Sequence, residues 1–314
     1  MKIIVTGAGG FIGHAVVKRL TATGSRVIAC VNSRGSRRVL NSCHFDGLLG
    51  SAEFGQMIQF EKPDGLVHCA GSASVGASIA NPELDHENNV LLTRDLYACV
   101  ARFSPRTRIL FTSSAAVYGQ PDSLPINELT ACNPISPYGK HKMECEEIGE
   151  WFRQHLNLDI VNLRIFSAYG PGMEKQVLWD TYQKSISRDT VMLGGDGSET
   201  RDFVYVDDIA KLIDHIVHAP QWKQSVLNVA SGETVTIRQL AEQFLFALGY
   251  RGQLRFSGVI SVGSPRYWSA GNATLSKLNL GPSVVLEDGL REYVRWIRHI
   301  EGATDPNRFL ARAG

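Results

Sequence analysis

The chain opens with a short apolar run, Lys2-Ile3-Ile4-Val5, that leads into Thr6-Gly7-Ala8-Gly9-Gly10-Phe11-Ile12-Gly13 and then into an amphipathic stretch over 11–22. A strand, a glycine turn and a helix in that order leave few choices of fold. The glycines allow a tight turn and a close approach of the backbone to a bound group. The helix N-terminus then offers free N–H groups and the positive end of its dipole. This is the context a dinucleotide fingerprint needs, with the spacing Gly7-x-x-Gly10-x-x-Gly13 in place of GxGxxG. Phe11 and Ile12 lie inside the same turn and share its expected cofactor contact.

The pattern repeats downstream. Apolar runs at Val27–Val31, Gly65–Cys69, Arg108–Phe111 and Ile160–Leu163 alternate with helix-like stretches near 51–60, 82–103 and 135–156. Continuous apolar strands separated by helices predict an α/β fold, a Rossmann-type doubly wound parallel sheet covered on both faces. Asn81-Pro82 supplies an N-cap and a first-turn proline for one of these helices. After Tyr169-Gly170-Pro171-Gly172 the elements become shorter and more mixed, with strand-like Thr190–Leu193, Phe203–Tyr205 and Val226–Val229 and helix-like stretches near 207–218, 236–248 and 286–299. The reading is a cofactor-binding domain over 1–170 and a smaller mixed α/β substrate lobe over 171–314, the chain returning to the first domain around 200–230. The stretch after about 301 is peripheral.

Bulk properties exclude several classes. A net charge of +1 gives no broad field to hold nucleic acid or an anionic membrane. No apolar run approaches the ~20 residues needed to cross a bilayer, and the first residues lack the pattern of a secretion signal. The six cysteines form no CxxC and have no histidine cluster beside them, so reduced thiols are expected, with no disulfide and no metal site. These features predict a cytoplasmic protein.

The cofactor's flavour is read at the end of the second strand. A site for NAD places Asp or Glu there to bond the ribose 2′-OH. Here Val31 is followed by Asn32, Ser33 and Arg34, with Arg37 and Arg38 close behind. No carboxylate repels a 2′-phosphate and three guanidiniums stand near it, which favours NADP(H) and leaves NAD(H) open.

The chemistry is expected at Phe111-Thr112-Ser113-Ser114, the end of a strand, and at Tyr138-Gly139-Lys140-His141-Lys142 on the following helix. Residues 138 and 142 share a helix face. A free tyrosine, with a pKa near ~10, is a poor base at neutral pH, and a neighbouring ammonium favours its phenolate. Tyr138 can then exchange a proton with a hydroxyl or carbonyl while hydride moves to or from a nicotinamide. A serine at the strand end would bond the same oxygen; between Ser113 and Ser114 the spacing alone does not choose.

Taken together, these motifs resemble the extended short-chain dehydrogenase/reductases that act on nucleotide sugars, over almost the whole chain. TGAGGFIG at 6–13, HCAGSASVG at 68–76, ENNV at 87–90, SSAAVYG at 113–119, YGKHK at 138–142, the run from Leu163 to Gly172, TRDFVYVDDIA at 200–210 and LNVASGETVTI at 227–237 carry the likeness. The resemblance implies Ser114, Tyr138 and Lys142 as the catalytic set. It implies that Ala70, Gly71, Ser72, Asn88, Ile165 and Phe166, together with Leu48, line the cofactor. It implies Ser74, Ser114, Ser167, Arg201 and Arg266 as substrate contacts, the arginines gripping a diphosphate. By the same analogy, helices near 82–103 and 135–156 pair with those of a second copy in a four-helix bundle, giving a homodimer.

Departures narrow the activity. The family's adenine-side Asp has only a shifted counterpart in Asp46-Gly47-Leu48, its Asn after the sixth strand is Ser167, and Ala73 stands where galactose-type epimerases carry Lys. Ala115 and Ala116 replace the acid pair of sugar 4,6-dehydratases, which disfavours elimination of water. Two enzymatic readings remain. The absence of an acid at Val31 tips the first expectation to an NADPH-dependent reductase of a nucleotide-linked 4-keto-6-deoxyhexose. The alternative is a nucleotide-sugar 4-epimerase that recycles its cofactor. A third reading, a cofactor sensor without turnover, has little use for the complete Ser–Tyr–Lys set.

Overall fold

The computed structural model describes residues 1–31, 43–45, 47–259 and 263–304. The strands, in chain order, are β1 (Lys2–Thr6), β2 (Arg26–Cys30), β3 (Cys43–Phe45), β4 (Gly65–His68), β5 (Arg108–Ser114), β6 (Ile160–Ile165), β7 (Ser167–Tyr169), β8 (Thr190–Leu193), β9 (Thr200–Tyr205), β10 (Val226–Val229), β11 (Thr234–Thr236) and β12 (Gln253–Phe256). The α-helices are α1 (Phe11–Ala22), α2 (Ala52–Glu61), α3 (Val75–Ala80), α4 (Pro82–His86), α5 (Leu92–Phe103), α6 (Pro137–Leu156), α7 (Gln176–Ser185), α8 (Val206–His218), α9 (Ile237–Leu248), α10 (Ala273–Lys277) and α11 (Leu286–Thr304).

Seven strands form one parallel sheet in the order β10-β6-β5-β4-β1-β2-β3. The order reverses at β1, the switch point of a doubly wound sheet. Successive side chains of a strand point to opposite faces. Ile3 and Val5 accordingly join Val16, Val17 and Leu20 of α1 and Ile209, Ile213 and Val217 of α8 on one face. Ile4 joins Phe54 and Ile58 of α2, Leu96 and Val100 of α5 and Phe152 of α6 on the other. Burial on both sides is why β1 reads as an unbroken apolar run. Each such fully buried aliphatic side chain stabilises the fold by about 1.5–3 kcal/mol.

The remaining strands form a three-stranded sheet, β11-β9-β7, and the pair β12-β8. Tyr169, Tyr182, Phe203, Phe244, Leu290 and Tyr293 build the apolar cluster that α7, α9 and α11 share with the three-stranded sheet. From it the chain returns to the large sheet: α8 packs on α1, and β10 pairs in parallel with β6.

Local signals account for the element ends near the site. Asn81 Oδ1 accepts from the Leu84 N–H at 3.0 Å, with Pro82 in the first turn of α4. The helical path over 82–103 is not uniform: a π-helical turn at Glu87–Leu91 separates α4 from α5. Ser136 caps α6 by accepting from the Gly139 N–H at 3.1 Å, and Pro137 occupies its first turn. Asn157 ends that helix in the left-handed region at φ 54°.

Candidate active site

The strand registers bring Thr6, His68, Ser114, Ile165 and Val229 to one end of the sheet, the carboxyl edge. Ligands bind at this edge in open α/β sheets. The loops after β1 and β4 meet there. Gly7 has a φ of 65°, and a Cβ on it would lie 2.6 Å from the backbone of Cys69 and Ala70. A Cβ on Gly13 would strike the Gly7 carbonyl. No side chain caps α1 at Gly10, and Phe11 and Ile12 are half-buried beside it. The result is a backbone cradle of N–H groups with no room for side chains, which suits the pyrophosphate of a dinucleotide.

A buried polar chain fixes this cradle. The Thr6 hydroxyl lies 2.7 Å from His68 Nδ1, and His68 Nε2 lies 3.1 Å from the Thr93 hydroxyl. Thr6 Oγ1 also accepts from the Ala70 N–H at 3.2 Å. Thr6 can therefore donate to Nδ1, with His68 donating through Nε2, a neutral tautomer assigned from this pattern of donors and acceptors. Burial, reinforced by the Lys142 ammonium, pushes the His68 pKa down to about 3. The imidazole is thus a permanently neutral strut between the glycine loop and α5.

The two serines at the end of β5 have different surroundings. Ser113 is buried and donates to Glu146 at 2.5 Å. Ser114 is half-buried, and its Oγ accepts from the Ala116 N–H at 3.2 Å at the start of a 3₁₀ turn over Ala115–Tyr118. Of the pair, Ser114 is the one open to a ligand. Tyr138 lies in the first turn of α6, half-buried, with its N–H held by the Ser78 hydroxyl at 3.0 Å. Lys142 is buried one turn later. Its Nζ donates to the Thr112 carbonyl at 3.1 Å and stands 4.7 Å and 5.9 Å from the ring centroids of Phe111 and Tyr138. Gly139 brings α6 close to the serine, since a Cβ there would lie 2.5 Å from the Ala116 carbonyl. Ser114, Tyr138 and Lys142 are thereby gathered beside the cradle.

Other residues singled out in the sequence are distributed unevenly. Ala70 and Gly71 line the loop after β4, Ser72 is half-buried beyond them, and Ser74 caps α3 by accepting from the Ala77 N–H at 3.2 Å. Asn88 is exposed, whereas its neighbour Asn89 is buried and faces Gly71. Asn89 Nδ2 donates to the Asp85 carbonyl, and its Oδ1 is buried without a protein partner. Both asparagines lie in the π-helical turn over Glu87–Leu91. Ile165 and Phe166 are buried at the end of β6, and Ser167 is half-buried next to them. Leu48 is 73% exposed. Val31 is a buried core residue where an acid would hold a ribose. Asn32, Ser33, Arg34, Arg37, Arg38 and Asp46 lie outside the described residues.

On β9 the Arg201 guanidinium donates to the carbonyls of Thr200 at 2.7 Å, Pro265 at 2.7 Å and Arg266 at 3.3 Å, and to the Ser264 hydroxyl at 3.1 Å. It lies 5.4 Å from the Trp268 ring centroid. Burial pulls its pKa down to about 10, against the opposing pull of Glu199. Arg266 is more open and pairs with Asp196 at 2.9 Å. Arg201 thus braces the segment that carries Arg266. Sequence reasoning missed Thr6, Ser78, His68 and Thr93, whose types carry no signal until the sheet brings them together.

The sequence pattern of the NAD dependent epimerase/dehydratase family matches residues 3–230. The chain belongs to that family. Over 95% of its length it is 30% identical to the UDP-glucose 4-epimerase of Mycolicibacterium smegmatis, of which it covers 99%. The structure of UDP-glucose 4-epimerase from Thermotoga maritima with UDP-glucose aligns at a TM-score of 0.88 and 26% identity, over 96% of this chain and 100% of that one. That of Thermus thermophilus UDP-glucose 4-epimerase in complex with NAD aligns at 0.85 and 25% identity, over 95% and 99%. The Rossmann-type fold and membership of the extended short-chain dehydrogenase/reductases, both expected from the motifs, stand on these likenesses. As a member of that family the protein is an enzyme. Among the described residues no helix is long and apolar enough to cross a membrane.

Proposed function

We propose that the protein is a nucleotide-sugar 4-epimerase acting on a UDP-hexose, with NAD held at the glycine cradle. The observation that carries this reading is the gathering of Ser114, Tyr138 and Lys142 beside that cradle, in a chain 30% identical to a UDP-glucose 4-epimerase. The activity named for these relatives reverses the order of the two readings drawn from the sequence. The reductase rested on the missing acid at Val31 and on arginines that lie outside the described residues, and the relative from Thermus thermophilus is in complex with NAD.

Gly7, Gly10, Phe11, Ile12 and Gly13 would hold the pyrophosphate, and Ala70, Gly71, Ile165 and Phe166 the rest of the dinucleotide. A nicotinamide held there would supply reversible hydride transfer at C4 of the sugar. Tyr138 takes the proton of the C4 hydroxyl and returns it to the inverted alcohol. Lys142, fixed by the Thr112 carbonyl, sets its ammonium group 5.9 Å from the Tyr138 ring centroid. Ser114 donates to the same sugar oxygen as charge develops on it. Arg266, with Arg201 behind it, faces the diphosphate, so Asp196 must release Arg266 as substrate arrives. A homodimer is part of the proposal: Leu84 before α5 and Trp151 on α6 are each about half exposed. Light scattering at micromolar concentration is expected to give a dimer mass; a monomer mass would remove this part.

The test is direct. Purified enzyme is incubated with UDP-glucose, UDP-N-acetylglucosamine and UDP-glucuronic acid, and the products are separated by chromatography. A C4-inverted product without net cofactor oxidation is expected, with turnover falling by about 10²–10⁴-fold in Tyr138→Phe while the cofactor stays bound. Oxidation of NADPH by a nucleotide-linked 4-keto sugar, with no epimerisation, would restore the reductase. Cofactor binding with turnover of neither substrate type would favour the sensor.

A further inference from the structure

Behind the serine and tyrosine lies a buried polar network that the chemistry above does not use. Glu146 follows Tyr138 and Lys142 at successive four-residue steps, so all three sit along one side of α6. Its carboxylate accepts from the Ser113 hydroxyl at 2.5 Å and from Arg164 of β6 at 2.7 Å and 3.1 Å. Arg164 also donates to the Tyr118 hydroxyl at 3.0 Å, and Tyr118 donates to Asn228 Oδ1 of β10 at 2.7 Å. Ser113, Glu146, Arg164 and Tyr118 are all under 10% exposed. Burial lowers the pKa of the Arg164 guanidinium, but the Glu146 carboxylate and Tyr118 outweigh it and leave that pKa above its ordinary range. The pair is shut off from water and multiply hydrogen-bonded, an arrangement that favours a unique geometry more than net stability.

The connections have a particular register. Lys142 is tied to Thr112, and Glu146 one turn on is tied to Ser113. The next residue of β5 is Ser114. Two consecutive turns of α6 are thus latched to two consecutive residues of the strand, which fixes both the rotation and the axial position of the helix relative to the serine. We infer that Ser113, Glu146 and Arg164 are positioning residues that set the distance between Ser114 and Tyr138. The inference rests on the reading of Ser114 and Tyr138 as the reacting pair. Misplacing reacting groups by about 1 Å can cost ~10²-fold in rate, so a latch at this point acts on turnover without touching substrate.

Ser113→Ala removes one latch and leaves the Glu146–Arg164 pair in place, so the chain should still fold. Glu146→Gln keeps an acceptor for Ser113 and removes the charge. For Ser113→Ala, kcat for the UDP-hexose is expected to fall about tenfold or more, with KM and NAD affinity within about twofold of wild type and an unchanged near-ultraviolet circular dichroism spectrum. A second measurement needs no substrate. With 3-fluorotyrosine incorporated, the Tyr138 fluorine resonance, assigned by its loss in Tyr138→Phe, is expected to move in both Ser113→Ala and Glu146→Gln. If the wild type epimerises nothing but the resonance moves, the functional reading fails and the latch stands. If kcat per folded enzyme is unchanged in Ser113→Ala, or the resonance stays put in both variants, the latch is overturned and the network is structural only.

Discussion

His68 gives the sharpest quantitative expectation. Its native pKa of about 3, set by burial and then by Lys142, compares with 6.5 for an ordinary histidine. Between these values the unfolded chain binds a proton that the native protein refuses. Stability must then rise with pH across this window, and the contribution is lost as pH falls from 6.5 towards 3. Each pH unit is worth about 1.36 kcal/mol. At pH 5 the penalty from this single ring is about 2 kcal/mol, and the whole window amounts to about 5 kcal/mol at most. The assay is urea unfolding at pH 7 and pH 5 for wild type and His68→Asn. The variant starts less stable, because the Thr93 contact is lost, but its stability should fall by about 2 kcal/mol less between the two pH values. The other histidines and the carboxylates titrate in both proteins and cancel in the difference. Parallel pH dependences, within about 0.5 kcal/mol, would refute the account of a neutral strut shut off from solvent.

Gly7→Ala forces a side chain into the backbone of Cys69–Ala70 at a φ of 65°, and should cost about 1–3 kcal/mol of stability and abolish nicotinamide binding, as read by fluorescence titration. Asn89→Ala should weaken cofactor or substrate binding more than Asn88→Ala does, because only Asn89 holds a buried oxygen without a partner against Gly71; the reverse order would return the role to Asn88.

The sheet was legible because its strands are buried on both sides. Ile3–Val5 and Ile160–Leu163 show the apolar runs that such burial demands, and α1 and α6 carry turn and cap residues at their starts. The strands β3, β7 and β11 left no comparable trace, since three residues are too few to show a period, and the partly exposed β12 carries no apolar run. Within the site, the glycine loop and the tyrosine–lysine pair were legible because their spacing is local. Ser113 and Ser114 could not be told apart by spacing, as contact with Glu146, 33 residues on, sends one inward. The same holds for Thr6, His68 and Thr93, joined through side chains dispersed across three elements. The π turn was invisible because Glu87–Leu91 reads as ordinary helix.

The packing of α8 on α1 bears on how the chain is made. Synthesis delivers six of the seven sheet strands by Ile165, yet Val16, Val17 and Leu20 must await Ile209 to Val217 for their cover. At about 5–20 residues per second, that face stays wet on the ribosome for roughly 3–10 seconds, long enough for a chaperone to engage it. A chain ended at Gly170 would keep it wet permanently. Such a fragment is expected to sediment as aggregate, and a soluble monomeric fragment would show that this face tolerates water.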